Sequence, residues 1–288
     1  MRVLVLADAH HDFWAETPKD LARFEAGLDA MGPVDAAILA GDMANKARTR
    51  WAPLAAALDR VVARSNTYVF PGNHDYYGHR IDGDDRLAEW AAELGWNWAQ
   101  QRAVVLGGAR FLCATLWTNM SLDRDPRTNG ATLAAKMNDY RFIRVARGGY
   151  RKLRPEDTVR VHDLHLDWLS QQLDTPFDGP TAVVTHHVPH HGALGYVDGV
   201  HDAAYASDLH RFLDLHQGPH TRSWFFGHAH ASKPFDLPGW SLRPHSLGYP
   251  FETGEEPAVV FPRCVVDTTT VQKNLSLSYS VLPAANER

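Results

Sequence analysis

An α/β core with parallel strand pairing is the architecture this 288-residue sequence predicts. Two observations carry that expectation. Short apolar runs rich in β-branched and aromatic residues alternate with helical patterns through the first hundred residues. Five separate runs then end in Asp, Asn or His, and open α/β sheets gather their functional groups beyond the carboxyl ends of their strands.

The elements follow in order. Residues 3–7 read as the first buried strand, 18–31 as a helix, 36–40 as a strand, 49–64 as a helix, 67–70 as a strand and 84–94 as a helix. Residues 104–106 and 110–116 are strand-like, and Gly107-Gly108 between them suits a tight hairpin. Further buried strands are expected at 181–185 and 223–226. From Phe261 onward, "CVVDTTTVQKNLSLSYSVL" reads as more strand, arranged as a hairpin. No repeat, low-complexity tract or linker divides the chain, so residues 1–288 are expected to form one domain.

Bulk properties exclude several classes. Hydrophobic content of 44% and charged content of 22% match a soluble globular protein. A net charge of −5 argues against gripping long duplex nucleic acid. Cys113 and Cys264 fit no disulfide framework or zinc-knuckle spacing, and read as buried thiols of a reducing compartment. The start, "MRVLVLADAH", is too short for a signal-peptide core, and no apolar run approaches membrane-spanning length. A cytoplasmic protein with no membrane partner is the expectation.

One segment differs in composition. Residues 121–160 hold ten Lys or Arg against five acids, which leaves the rest of the chain at −10. From Asp75 to His186 is more chain than one hairpin and helix need, so an insert over about 118–160 is expected to form a lid. Leu133, Met137 and Tyr140 fall on one helical face there, with Arg141 and Arg144 close by. Tyr140, Arg141 or Arg144 would then face a substrate; a solvated basic face packed on the body is the competing expectation.

The chemistry lies at the strand ends. "RVLVLADAH" ends in Asp8 and His10, "AAILAGD" in Asp42, and "TYVFPGNHD" in Asn73, His74 and Asp75. "TAVVTHH" ends in His186 and His187, and "SWFFGHAH" in His228 and His230. Singly, each Asp is a turn residue and each His a satisfied buried ring. Together, two Asp, one Asn and four His make a mixed oxygen and nitrogen ligand set that suits Mn, Fe or Zn. The count exceeds what one ion takes, and two divalent ions sharing Asp42 fit it. Two such ions carry +4, while Asp8, Asp42 and a bridging hydroxide contribute −3. The surplus would attract a phosphate anion.

Asp8-x-His10, Gly41-Asp42, Gly72-Asn73-His74-Asp75, His186 and Gly227-His228-x-His230 resemble, in order, the five motifs of the calcineurin-like metallophosphoesterase superfamily. The resemblance implies a four-layer αββα sandwich, with two facing mixed β-sheets flanked by helices. It implies that Asp8, His10, Asp42 and His230 hold one metal, and that Asp42, Asn73, His186 and His228 hold the other. His74 would be the non-ligand histidine that protonates the leaving oxygen, oriented by Asp75. The implied reaction is phosphate-ester hydrolysis by in-line attack of a metal-bound hydroxide, with a small phosphodiester as the expected substrate. A phosphomonoesterase, a nuclease or a non-catalytic scaffold on the same fold are the alternatives. "MNDYRFIR", residues 137–144, also resembles a block of some bacterial members. Two features depart from the pattern. His11 follows the first motif where relatives often place a small or apolar residue, and is expected at the rim. "HSLGYPFE" stands where many of those bacterial members carry Asn-Pro-Arg-Gly-Tyr, so their Arg is missing here.

Overall fold

The computed structural model describes residues 1–271 apart from 123–124, 196–198, 200, 219 and 253. The chain runs β1 (Arg2–Leu6), α1 (His11–Trp14), α2 (Pro18–Met31), β2 (Ala36–Ala40), α3 (Ala47–Leu58), β3 (Thr67–Phe70), α4 (Asp84–Glu93), β4 (Asn97–Trp98), β5 (Arg102–Leu106) and β6 (Ala109–Ala114). The middle holds α5 (Pro126–Lys136), α6 (Asp139–Phe142), β7 (Arg144–Val145), β8 (Arg151–Lys152) and α7 (Pro155–Asp174). Then come β9 (Thr181–Thr185), α8 (Asp202–Tyr205), α9 (His210–Leu215), β10 (Arg222–Phe226), β11 (Phe235–Leu237), β12 (Trp240–Pro244), α10 (Pro257–Arg263) and β13 (Val265–Asp267).

Two large mixed sheets result. One has the order β13-β1-β2-β3-β4, parallel throughout except for β13 at its edge. The other has the order β11-β12-β10-β9-β6-β5, with the central four strands parallel and both edges antiparallel. Strand alternation sorts the core into layers. Val3, Val5, Ile38 and Phe70 meet Phe111, Cys113, Val184 and Phe225 between the sheets. Leu4, Leu6, Leu39 and Val69 point the other way and pack with helical residues such as Trp14, Phe24 and Trp51. Each such side chain contributes roughly 1.5–3 kcal/mol on burial. The four-layer sandwich is thus present.

Helix α2 shows how local sequence sets an element. Thr17 caps it by accepting from the Asp20 N–H, Pro18 occupies the first turn, and Gly32 at φ 68° ends it. Phe24, Gly27, Leu28 and Met31 form its buried stripe. Gly27 is required because a Cβ there would lie 2.7 Å from the Pro257 Cβ of α10.

Three expectations change. Strand does not begin at Phe261: Pro257 opens a helix that runs to Arg263, and only Val265–Asp267 pairs with β1. Residues 272–282 of that expected strand lie outside the described residues. Leu133, Met137 and Tyr140 do not share one helix, because Met137 at φ −80°, ψ 137° ends α5 and a new turn starts at Asp139. The basic segment is not one body either, since Pro155 opens the 20-residue α7. Cys113 and Cys264 are buried and unpaired. Among the described residues, no helix is long and apolar enough to cross a membrane.

Candidate metal centre

The loops after β1, β2, β3, β9 and β10 meet at one place. The Asp8 N–H donates to Gly41 O (2.9 Å), the His228 N–H to Asp8 Oδ2 (2.8 Å), and the Gly227 N–H to His186 O (2.9 Å). Close approach explains the glycines: a Cβ at Gly72 would fall 2.7 Å from His186 Cε1, and one at Gly41 2.6 Å from His186 Nδ1. Asp8, His10, Asp42 and His228 have φ of 54°, 38°, 57° and 68°, a left-handed conformation that persists only where the surroundings enforce it.

The side chains converge into overlapping sets. Ligand atoms of Asp8, His10 and His230 lie within 4.8 Å of one another, as do those of Asp42, His186 and His228. Asp42 Oδ2 is 3.4 Å from His186 Nε2 and 3.8 Å from His10 Nε2, so it reaches both groups. Asn73 Oδ1 is 3.2 Å from His186 Nε2. Three observations show that these residues fit divalent cations. Asp8 Oδ1 and His228 Nε2 are buried without a hydrogen-bond partner. His10 Nε2 and His230 Nε2 face each other at 3.3 Å, the spacing of two lone-pair donors around a shared charge. The donors are carboxylate, amide oxygen and imidazole throughout.

Electrostatics agree. Burial works against charge on His186, yet the Asp42 and Asp8 carboxylates outweigh it and lift that imidazole to about 9. Burial also opposes charge on His230, while Asp8 and Glu252 raise it to about 10. Burial, with help from His186, pushes His228 down to about 3. Burial would raise Asp8, but the His230 and His186 rings hold it well below the usual carboxylate range. Two buried carboxylates therefore demand positive charge at this spot, which protons or metal cations can supply.

Outer contacts fix the orientation of these candidate ligands. His186 Nδ1 donates to Ala40 O (3.0 Å), and His230 Nδ1 to Glu252 Oε2 (2.8 Å). Asn73 Nδ2 donates to Asp139 Oδ1 (2.9 Å), which turns Asn73 Oδ1 toward His186. The Tyr77 hydroxyl donates to the same Asp139 oxygen (2.8 Å), and its ring stacks on His74 at 4.4 Å. The sequence did not mark Asp139, Glu252 or Tyr77. The "MNDYRFIR" block was the one available signal for Asp139.

His74 lies beside the ligands, but Asp75 does not orient it. His74 Nδ1 meets Asn45 Oδ1 at 2.9 Å. The Asp75 carboxylate turns inward and accepts from the backbone N–H groups of Asp42 (2.8 Å), Met43 (3.2 Å), Ala44 (3.4 Å) and Gly72 (2.9 Å), and from the Trp51 indole (2.8 Å). It is a clamp that holds the Gly41-Asp42 and Gly72-Asn73 turns together. Asp75→Asn should therefore lower stability by on the order of 3 kcal/mol, as one carboxylate oxygen is exchanged for a donor facing donors. Calorimetry should show a melting temperature lower by roughly 5–10 °C. A fully stable variant with selectively slow hydrolysis of alkyl esters would instead return Asp75 to the role of orienting His74.

His11 is not at the rim. It is buried, with its ring 5.0 Å from Phe24. His187 is also buried, its ring centroid 4.1 Å from that of His228 with the planes tilted by 41°, and Nδ1 near Thr115 O (3.2 Å). His162 and His165 anchor α7 to the chain after β6 through Leu116.

The site opens into a cleft of about 480 Å³. The basic insert contributes Lys136, Met137 and Asn138 to its wall, and not Tyr140, Arg141 or Arg144. Tyr140 is buried, Arg141 is exposed, and the Arg144 guanidinium donates back to Arg141 O (3.0 Å). The turn starting at Asp139 explains this. Asp139 points inward to Asn73, and backbone bonds from Gly78 to Phe142 O and from Arg144 to His79 O tie residues 139–144 to the loop after β3. The strap after β12 supplies the opposite wall. The Ala7 and Leu247 N–H groups bond across it to His245 O and Ala7 O, which brings Tyr249 and Glu252 to the site. The Tyr249 ring stacks on His10 at 4.2 Å, and its hydroxyl is 3.5 Å from His74 Nε2.

Facing mixed sheets with a His, Asp and Asn cluster at their strand ends define a metal-dependent phosphoric ester hydrolase. The chain belongs to the calcineurin-like phosphoesterase family, whose model matches residues 1–232. Among solved structures, the phosphopantetheinyl hydrolase PptH from Mycobacterium tuberculosis shares the fold, with a TM-score of 0.60 at 17% identity over 99% of this chain and 97% of that chain. A second solved structure reaches a TM-score of 0.45 at 11% identity, covering 84% of this chain and 88% of that chain. No curated protein was found to match the sequence.

Proposed function

We propose that the protein hydrolyses small phosphodiesters at a dinuclear centre, with Asp8, His10, Asp42 and His230 on one ion and Asp42, Asn73, His186 and His228 on the other. The observation that carries this reading is the position of Asp42, whose Oδ2 lies between the His10 and His186 rings. Divalent Mn, Fe or Zn ions held there would supply Lewis-acid polarisation of the phosphoryl group and an activated water.

The chain's own residues do the rest. His74 gives a proton from Nε2 to the leaving oxygen, with Asn45 holding Nδ1 and Tyr77 stacked on the ring. Tyr249 keeps its hydroxyl proton, because burial and the Asp42 and Asp8 carboxylates raise its pKa, so it can donate to a phosphoryl oxygen. Lys136 is the one ammonium among the described residues lining the cleft, and no guanidinium lines it. That modest positive charge suits the single negative charge of a diester better than the double charge of a monoester.

A hydrolysis panel with metal-depleted protein tests this. The substrates are bis-aryl phosphate, aryl monophosphate, cyclic nucleotides and single-stranded DNA, with Mn, Fe, Zn or Mg restored in turn. Diester turnover should return with Mn, Fe or Zn and exceed monoester turnover. Faster monoester hydrolysis with every metal would retire the diester reading.

A further inference from the structure

A second depression of about 690 Å³ adjoins the catalytic cleft and shares His230, Ala231, Tyr249 and Glu252 with it. Its chemistry differs from that of the cleft. Trp14, Leu247, Tyr249, Phe251 and Val260 give it an apolar face. Its two guanidinium groups already have partners: Arg23 pairs with Asp20 (2.9 Å) and Glu256 (3.0 Å), and Arg263 pairs with Glu255. Glu252 is engaged by His230. A groove whose charges are paired internally offers little to an anionic group and favours an uncharged one.

Aromatic rings lead from the metal ligands into this groove. His10 stacks on Tyr249 at 4.2 Å, and Tyr249 stacks on Phe251 at 5.0 Å with the rings 10° apart. Phe251 is 71% exposed, so a large apolar face stands open within two ring spacings of a metal ligand. The Trp14 indole donates to Gly248 O (3.0 Å) and is buried at the base of the groove, with the Arg23 guanidinium over its ring at 5.1 Å, so Phe251 and Tyr249 supply the open apolar surface.

Building on the diester reading above, we infer that this groove binds the ester substituent that stays on phosphorus, and that this substituent is an uncharged aromatic or apolar group. The leaving group occupies the side of the cleft where His74 delivers its proton. The groove opens past His230 and Tyr249, where the retained substituent lies. A phosphomonoester has no group to place there, so the groove gives the diester preference a structural basis.

The test uses methyl 4-nitrophenyl phosphate and phenyl 4-nitrophenyl phosphate, which share a leaving group and differ in the retained substituent. The wild-type protein should favour the phenyl ester by about tenfold or more in kcat/KM. Phe251→Ala should remove most of that preference through KM, and change the methyl ester by less than about twofold. Metal content should be unaltered, and Phe251→Trp should keep the preference. Equal effects of Phe251→Ala on both esters, or no preference in the wild type, would overturn the inference. If the wild type hydrolyses 4-nitrophenyl phosphate but neither diester, the diester reading itself fails.

Discussion

The Asp42→Asn variant is expected to purify with both metal positions depleted and with activity lowered by well over 100-fold, more than the loss of an outer partner causes. Asp42 is buried, and Oδ2 lies 3.4 Å from His186 Nε2 and 3.8 Å from His10 Nε2. An amide keeps the shape and the oxygen that accepts from the His74 N–H (2.8 Å), but not the charge that two cations would share. His230→Ala removes one imidazole held by Glu252 and should mainly empty one position. Elemental analysis of both purified variants separates these outcomes. Two tightly held ions per chain in Asp42→Asn would show that Asp42 is not the bridge.

The second large effect concerns His74. Its backbone N–H anchors to Asp42, while its ring is held by Asn45 and Tyr77, so His74→Asn should leave both metals in place. General acid catalysis is typically worth about 10²–10⁴-fold, and the loss should approach that on alkyl diesters, whose alkoxides are poor leaving groups. Nitrophenolate departs without a proton, so nitrophenyl esters should lose distinctly less. Turnover on the two ester types, with parallel metal analysis, checks this. An equal loss on both would make His74 an electrostatic group at the phosphoryl oxygens, and a missing ion would make it a ligand.

Much of the fold and of the candidate site was legible because strands and strand ends leave a local mark. A buried run followed by Gly-Asp or Gly-Asn-His signals both the strand and what it presents, and the structure brings Asp8, His10, Asp42, Asn73, His186, His228 and His230 together. Residues acting across long separations leave no such mark. Asn45 reaches the site through the path of a loop with no sequence signal, while Asp139 in "MNDYRFIR" and Tyr249 and Glu252 in "HSLGYPFE" stand in blocks whose partners the sequence does not name. Adjacency also misled. Asp75 follows His74, but neighbours in a turn point in different directions, so one faces the cleft and the other the interior. The same geometry governs the insert. Once α5 stops at Met137, Asp139 turns inward, leaving Tyr140 buried in the insert and Arg141 at the surface.

The meeting of Asp8 with His228 spans 220 residues of chain, and it joins one sheet to the other. Contacts of such long sequence separation form only after the intervening chain has been made and ordered. During synthesis β1, β2 and β3 can present Asp8, His10, Asp42 and Asn73 well before His186, His228 and β13 have emerged, so a partly made chain holds part of the candidate set and no cleft. Hydrolytic competence therefore arrives late and all at once, as a property of the finished sandwich.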